Sequence, residues 1–455
     1  MEMILEFLRD VLSQPALLIG IMSCVGLIAL KRPFHKIMTG TLKPILGYLM
    51  LAAGAGVIVS NLDPLGKMIE HGFHITGVVP NNEAIVAVAQ KVLGVETMSI
   101  LVVGLLMNLL IARFTKFKYV FLTGHHSLFM ACLMSAVLGT AGLSGIELIL
   151  VGGFLMGAWS AISPAIGQSY TSKVTDGDEI ALGHFGSLGY YLSAWVAKYV
   201  GKAEESTEDI EIPEKWGFLR DSTLSTALTM IVFYLIAAIA AGSEFVATLS
   251  GSMSPYLFAV MSAMNFAVGV AIVYSGVRMI LGDLIPAFQG IATKIIPNAI
   301  PAVDCAVFFT YAPTAVVLGF ISSFIGGIIG MLILGAVGGV LIIPGLVPHF
   351  FCGATAGIYG NATGGRRGAA VGAFLNGLAI TFLPALALPV LGQLGFQNTT
   401  FGDADFAVMG LVLGNAYEWV GMAGIYGIVA IAALVLIIPN FIKTKGKVIN
   451  YVEEE

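Results

Sequence analysis

Residues 321–343, ISSFIGGIIGMLILGAVGGVLII, form a block of 23 residues without a charged side chain. About 20 consecutive apolar residues are enough for a helix to cross the hydrocarbon core of a bilayer. Further long apolar blocks occupy 224–241 and 406–439. Over the whole chain of 455 residues, 57% of the residues are hydrophobic and 11% are charged. Soluble domains carry about 25% charged residues, so this composition predicts a polytopic protein embedded in a lipid bilayer.

Apolar blocks of this kind predict an all-α membrane fold with eleven spans. Their predicted limits are 15–30, 42–60, 97–112, 119–138, 146–166, 223–243, 255–281, 300–320, 321–343, 367–391 and 406–440. The last block is long enough to hold a re-entrant piece as well as a full span. Since the first block is followed by Lys31 and Arg32 instead of a small-residue cleavage site, it is interpreted as a retained span and not as a signal peptide.

The basic residues predict the orientation, because Lys and Arg accumulate in cytoplasmic loops. Loops that contain Lys or Arg alternate along the chain with loops that contain neither, and the latter are 139–146, 244–254 and 392–405. The one exception is the segment 61–96, which contains Lys67 and Lys91 together with four acidic residues and is long enough to escape the rule. This alternation predicts an N-terminus outside the cell and a C-terminus in the cytoplasm. An odd number of spans agrees with that arrangement.

Several classes of function find no support in the sequence. It contains no Walker loop, no HExxH and no GxSxG, so neither ATP hydrolysis nor an enzyme active site is indicated. The four cysteines lie in apolar segments without a metal-binding spacing, so no metal and no cofactor are predicted. There is no basic arm for nucleic acid. Passage of a small polar solute, driven by an ion gradient or by a partner protein, fits these observations.

Ionisable side chains within apolar segments indicate where a solute binds, because such groups are costly there and usually functional. Asp304 lies in IPAVDCAVFFTY, and His125 and His126 follow Thr123-Gly124. His184 follows a glycine in a second apolar patch. The alternatives are a carboxylate that caps a broken helix and histidines that pack in the core. His349 and Glu418 are further candidates.

A short internal repeat and a group of prolines predict the architecture. Gly40-Thr-Leu-Lys43 resembles Gly276-Val-Arg278, and Thr123-Gly124-His125 resembles Val347-Pro348-His349. Carriers often contain two repeats with the substrate site between them. Prolines between 286 and 348 would break helices at membrane depth, which is tolerated where the backbone is buried or lines a cavity. We therefore predict two inverted repeats with re-entrant hairpins.

A long polar stretch, 167–222, separates the two predicted repeats. Within it, LGYYLSAWVAKYV at 188–200 combines Tyr and Trp with apolar residues, as helices at a membrane interface do. This stretch is predicted to be a cytoplasmic loop that lies along the membrane.

Short motifs spread over nearly the whole chain resemble those of one family. They are Gly40-Thr-Leu-Lys43, Leu122-Thr-Gly-His125, Val174-Thr-Asp-Gly177, Gly183-His184, Gly276-Val-Arg-Met279, Asp304-Cys-Ala, Ala312-Pro, Ile342-Ile-Pro-Gly345 and Gly364-Gly365-Arg. On these motifs the chain resembles the ascorbate-specific membrane permease, enzyme IIC, of the bacterial phosphoenolpyruvate:sugar phosphotransferase system, in the ascorbate/galactitol superfamily.

The resemblance implies an eleven-span homodimer in the bacterial inner membrane. A V-shaped scaffold would dimerise, and a core with two re-entrant hairpins would move like an elevator with the substrate, L-ascorbate or a related sugar acid. A cytoplasmic enzyme IIB, itself served by enzyme IIA, would phosphorylate the substrate. The chain itself would bind and pass the substrate without carrying out the phosphoryl chemistry, so it is predicted to be a transport subunit and not an enzyme.

Combined with the spans, the resemblance divides the chain. The predicted units are 1–166 as the first membrane repeat (scaffold helices 15–60, core 61–166), 167–222 as the cytoplasmic amphipathic loop, 223–404 as the second membrane repeat (scaffold helices 223–281, core 282–404) and 405–455 as a terminal span with a cytoplasmic tail.

The resemblance also implies the substrate-binding positions. Histidines in the family's two Gly-His pairs match His125 and His184, and an aspartate matches Asp304. Two family glutamines correspond to Phe129 and Phe185, which would replace polar contacts with an apolar wall and favour a less hydroxylated or differently shaped ligand. A Thr-Tyr pair of the first hairpin falls near Asn82 and Glu83.

Two other functions stay open on the sequence. In an ion-coupled secondary transporter of a small polar solute, Asp304 and Glu418 would be proton or sodium sites. A membrane enzyme would need a clustered catalytic set, which the motifs do not supply.

Overall fold

The computed structural model describes residues 11, 14–74, 77–78, 80, 82–210, 222–392 and 400–441. Its helices are α1 (Pro15–Ala29), α2 (Phe34–Phe73), α3 (Asn82–Phe114), α4 (Gly124–Thr140), α5 (Gly145–Thr175), α6 (Ser187–Val200), α7 (Ser222–Ala241), α8 (Ser243–Ser250), α9 (Pro255–Lys294), α10 (Pro313–Ala336), α11 (Leu346–Gly392), α12 (Ala404–Val420) and α13 (Met422–Phe441). Three short strands, β1 (Tyr119–Phe121), β2 (Ala181–Leu182) and β3 (Ile300–Val303), and a 3-10 helix (Cys305–Thr310) complete the described elements.

The helices confirm the predicted all-α polytopic class. Among the described residues, seven helices are long and apolar enough to cross a bilayer. The pair α7 and α8, bent by 117° at Gly242, would add an eighth span or a re-entrant piece. Helices α12 and α13 are separated at Gly421, in the block predicted to hold a re-entrant piece and a span. The number of eleven spans and the two repeats stay predictions.

The two spans predicted at 300–320 and 321–343 are wrong, because this part of the chain forms a strand, a 3-10 helix and the single helix α10. Proline at the first position of a helix is well tolerated, since its missing N–H would have no partner there, and α10 begins at Pro313. It ends before Gly338, which has a φ of 70°. Apolar composition alone does not distinguish a buried strand or a 3-10 helix from a membrane span, so the whole stretch was divided into two spans.

Helices α2 and α9 are both 40 residues long and cross in close contact. A Cβ at Gly47 would lie 2.8 Å from the carbonyl oxygen of Gly276, and one at Gly54 would lie 2.7 Å from that of Gly269. The pairing of Gly47 with Gly276 and of Gly54 with Gly269 makes the helices antiparallel. Both predicted boundaries between scaffold and core, at 60/61 and 281/282, fall inside these helices.

The stretch 167–222 is more ordered than the predicted loop. Helix α5 continues to Thr175, and the strand β2 and the helix α6 follow. Tyr190 and Tyr191 on α6 are buried, because this side of the helix packs against α11. Trp195 and Tyr199 are 51% and 74% exposed, so one side of α6 keeps the character expected at a membrane interface. Residues 211–221 lie outside the described part.

The three strands form a parallel sheet in the order β1-β3-β2. Tyr119 pairs with Ile300 and Ala181 pairs with Ala302. Gly183 passes so close to β3 that a Cβ would lie 2.4 Å from the carbonyl oxygen of Ala302. The sheet lies between two buried apolar clusters, one on each side of β3.

Candidate functional site

The sheet explains how residues far apart in sequence converge. In a parallel sheet the carboxyl ends of all strands lie at one edge. His125 and His126 follow β1, His184 follows β2 and Asp304 follows β3. The Nε2 atom of His125 lies 3.5 Å from Oδ2 of Asp304, and the rings of His126 and His184 have centroids 3.8 Å apart. The three positions implied by the resemblance are therefore neighbours.

These residues line one end of a cavity of about 1380 Å³ between helix α2 and the strand ends. Phe129 and Asn82 also line it. Phe185 is fully buried and stacks on Phe121 with a centroid distance of 4.6 Å. Its ring also packs near that of His126, with a centroid distance of 6.1 Å. Phe185 is not one of the residues that line the cavity.

Asp304 combines two roles that the sequence left as alternatives. It is 7% exposed, and its Oδ1 accepts a hydrogen bond of 3.1 Å from the backbone N–H of Ala306. It thus caps the 3-10 helix. Its other oxygen faces His125, so capping fixes the carboxylate in the position where it meets the cavity.

Asp403 is a second buried carboxylate at the cavity, and sequence reasoning missed it. Its Oδ2 accepts from Nδ2 of Asn82 at 2.5 Å, and its Oδ1 accepts from Sγ of Cys352 at 2.8 Å. Oδ1 also lies 4.0 Å from Nδ1 of His184. Asn82 is held further by the backbone N–H of Gly402 at 2.9 Å. The acidic residues directly before the apolar block 406–439 were the available signal.

Asn82 therefore lies at the cavity, as the resemblance implied. It stands at the beginning of helix α3 and ties that helix to the segment before α12. The side chain of Glu83, the neighbouring candidate, lies outside the described part of the structure.

Asp405 fixes the backbone that follows His184. It is fully buried and accepts from Nε1 of Trp159 at 3.1 Å, from Oγ of Ser187 at 2.7 Å and from the N–H of Leu188 at 2.9 Å. Its own N–H donates to the carbonyl of Phe185 at 2.9 Å. The beginning of α6, directly after His184, is thus locked to α5 and α12.

The imidazoles are held in one tautomer by neighbouring donors. The backbone N–H of Phe185 donates to Nδ1 of His126 at 3.3 Å, and that of Gly186 donates to Nδ1 of His184 at 3.1 Å. An N–H cannot accept a hydrogen bond, so Nδ1 is the acceptor and the proton of each neutral ring is on Nε2.

A trio of possible metal ligands, His126, His184 and Asp403, has its ligand atoms within 4.8 Å of one another. Metal-bound histidines usually donate their second ring N–H to an acceptor. Here the second nitrogen of both rings accepts from a backbone N–H instead, so the arrangement suits hydrogen bonding to a ligand better than metal binding.

The two further candidates lie elsewhere. His349 is 2% exposed and its Nδ1 shares a hydrogen bond of 2.9 Å with Oγ of Ser323, between α10 and α11. Glu418 is exposed near the end of α12. The structure brings neither of them to the cavity lining.

A polytopic helical protein that buries a polar cluster at the end of a large cavity has the architecture of a membrane transporter. The chain belongs to the EIIC-GAT family, PTS system sugar-specific permease component, whose model matches residues 10–405. Its long apolar helices make it a multi-pass membrane protein. The chain is also similar to the "Ascorbate-specific PTS system EIIC component" of Mycoplasma pneumoniae (strain ATCC 29342 / M129 / Subtype 1), with 26% identity over 417 residues. This match covers 78% of the chain but 62% of the relative, so the chain spans less than two thirds of that relative's length.

Proposed function

We propose that the chain is the membrane subunit of a phosphoenolpyruvate-dependent phosphotransferase system that translocates L-ascorbate or a related sugar acid. The observation that carries this proposal is the convergence of His125, His184 and Asp304 at the edge of one parallel sheet. Imidazole N–H groups donate to ligand oxygens, and a carboxylate accepts from ligand hydroxyls. The ascorbate specificity named for the mycoplasma relative supports the choice of ligand.

The ligand occupies the inner end of the cavity. Small-molecule sites usually enclose about 300–1,000 Å³, and this cavity is larger, at about 1380 Å³. Its other parts are lined by α2 residues such as Ala55 and Val59 and by Gln14 at the beginning of α1. With the N-terminus outside the cell, Gln14 and the end of α2 lie on the outer side. The cavity then opens outward, and this conformation receives substrate.

Transport follows an elevator mechanism in this proposal. Helices α1, α2, α7, α8 and α9 form the scaffold and the dimer contact, and the sheet with the remaining helices forms the moving core. The units of the sequence-based division are kept, with the scaffold extended to the ends of α2 and α9. In the bacterial inner membrane, with the C-terminus in the cytoplasm, the core delivers substrate to enzyme IIB, which is phosphorylated by enzyme IIA. Phosphorylation by these partners captures the substrate, so the chain needs no catalytic residue.

Uptake measurements test the energy source. Cells that express the chain with its IIA and IIB partners should accumulate labelled ascorbate as a phosphorylated product. Deletion of IIB should abolish accumulation, while a proton or sodium ionophore should leave it unchanged over short times. Undiminished accumulation of unmodified solute without IIB would contradict the proposal.

The competing function is an ion-coupled secondary transporter. The two buried carboxylates at the cavity, Asp304 and Asp403, are the observation that favours it, because such groups often bind coupling ions. In that case the ionophore would stop uptake and loss of IIB would not.

A further inference from the structure

Two neighbouring imidazoles form a distinct feature at the inner end of the cavity. The ring centroids of His126 and His184 lie 3.8 Å apart, with planes inclined by 45°. Each residue is 4% exposed, and both line the cavity. The family resemblance assigns His184 to the substrate but gives His126 no role.

Both rings accept hydrogen bonds at Nδ1. His126 accepts at Nδ1 from Phe185, and His184 accepts there from Gly186 and from the hydroxyl of Tyr190 at 2.9 Å. Among the described residues, neither Nε2 has a hydrogen-bonding protein partner. Because both residues line the cavity, these two N–H groups are available to a ligand inside it.

His125, the third ring of the cluster, is engaged differently. Its Nε2 faces Asp304 at 3.5 Å and its Nδ1 meets the hydroxyl of Tyr48 at 3.3 Å. Each of its ring nitrogens therefore faces a protein group, which is not the case for the Nε2 atoms of His126 and His184 among the residues that the structure describes.

We propose that His126 is a further substrate-binding residue, and that the Nε2–H groups of His126 and His184 donate together to two adjacent oxygen atoms of the ligand. This inference rests on the proposed function of the cavity. The chemical class it selects is a ligand with oxygens on neighbouring carbons or on one carboxylate, such as an ene-diol or a 2-hydroxy acid. Asp304 accepts from hydroxyls elsewhere on the same ligand.

A structural role for His126, holding the backbone of Phe185, must be separated from ligand binding. Two substitutions do this, because each keeps the hydrogen-bonding group of one of the two ring nitrogens. His126→Gln puts an amide N–H near the position of Nε2, whereas His126→Asn puts an amide oxygen near that of Nδ1. The first retains the donor to the ligand, and the second retains the acceptor for Phe185.

Calorimetric titration of the purified full-length protein in lipid nanodiscs gives the measurement. Ascorbate, other sugar acids and neutral sugars are titrated first, and the tightest ligand is used for all variants. His126→Asn should weaken binding by about 10- to 100-fold, as expected for loss of a hydrogen bond to a charged group. His126→Gln should restore most of the affinity. The matched controls His349→Asn and His349→Gln change a buried histidine away from the cavity and should bind like the wild type.

The ligand side gives an independent readout. The two adjacent ligand oxygens are methylated in turn. Methylation of the oxygen that faces His126 should weaken binding to the wild type but make little further difference in His126→Asn, because both changes remove the same hydrogen bond. Methylation of the oxygen that faces His184 should weaken binding in both proteins. The assignment would be overturned if His126→Asn bound the ligand as tightly as the wild type, or if it bound the ligand more tightly than His126→Gln. If the tightest ligand is not a sugar acid, the proposed substrate fails, while the variants still decide the role of His126.

Discussion

The two sides of helix α2 make contacts of opposite kinds. Towards α9, the glycines at 47 and 54 bring the two backbones together, so that even a Cβ would collide with main-chain atoms. Towards the core, α2 borders the cavity, and the hydroxyl of Tyr48 reaches His125 at 3.3 Å. In the proposed elevator mechanism the first contact is a fixed joint between helices, since close small-residue packing tolerates little displacement. The second contact is the one that the proposed movement of the core changes.

The largest effect is expected where the two backbones meet. Gly54→Ala places a Cβ 2.7 Å from the carbonyl oxygen of Gly269 and 2.8 Å from the N atom of Val273. Overpacking of this kind costs about 1–3 kcal/mol, so the thermal midpoint in detergent should fall clearly. Gly56→Ala is the matched control, because no atom of the described residues lies within 4 Å of its added Cβ. Equal midpoints for the two variants would contradict the fixed joint.

Loss of the Asp304 carboxylate, on the core side of the cavity, should change ligand binding instead of stability. Asp304→Asn keeps a side-chain oxygen that can cap the 3-10 helix but removes the charge that faces His125 and the ligand. Ligand affinity should fall by about 10-fold or more, as measured by calorimetry. Asp283→Asn, which alters a partly exposed partner of Lys43, serves as the control. A larger loss in the control would place the binding site elsewhere.

Helix α2 takes part in two hydrogen bonds of tyrosine hydroxyls, one with α7 and one with His125. Tyr234 on α7 donates to the carbonyl of Asn61 on α2 at 2.5 Å, and Tyr48 reaches His125 across the cavity side. A typical hydrogen bond contributes about 0.5–1.5 kcal/mol. Tyr234→Phe should lower the thermal midpoint without changing the KM of uptake, whereas Tyr48→Phe should change the KM with little loss of stability. The reverse pattern would mean that Tyr48 belongs to the fixed joint.

The smallest effect is expected at an exposed ion pair on the same helix. Nζ of Lys67 lies 2.8 Å from Oδ2 of Asp63, with side chains 52% and 61% exposed. Exposed pairs of this kind add little to stability, because water and salt screen the two charges. Lys67→Ala should therefore leave both the thermal midpoint and uptake close to wild type, and a large loss of uptake would show that this lysine guides substrate.

The sequence predicted the membrane class because long apolar blocks are an unambiguous signal, but it did not predict the sheet. Strands of two to four residues are too short to show a periodicity, so β1, β2 and β3 were read as ends of spans or as loop. The first part of α11, before the break at Gly364 and Gly365, was also missed, because its glycine, asparagine and threonine residues weaken the apolar signal.

The candidate site was predicted where a local pattern existed. The Gly-His pairs and an isolated aspartate pointed to His125, His184 and Asp304, and the structure brings them together. Asp403 has no such pattern around it, since its partners Asn82 and Cys352 come from distant parts of the chain. Phe185 was misplaced for a similar reason: the sequence shows that it adjoins His184 but not that its ring turns away from the cavity.

Paired cysteines give the most direct test of a fixed joint beside a moving core. A bifunctional methanethiosulfonate reagent joins the introduced cysteines, because a direct disulfide needs Cβ atoms about 3.5–4.5 Å apart. Lys43→Cys with Asp283→Cys then links α2 to α9, where Nζ of Lys43 lies 3.5 Å from Oδ2 of Asp283. Gly66→Cys with Leu346→Cys links α2 to α11, where a Cβ at Gly66 would lie 3.8 Å from Cδ1 of Leu346. The four single variants control for the native cysteines, and uptake of labelled ascorbate is measured before cross-linking, after cross-linking and after reduction. We predict that cross-linking leaves transport intact in the first pair and stops it reversibly in the second. Full transport with α2 and α11 linked would contradict the account.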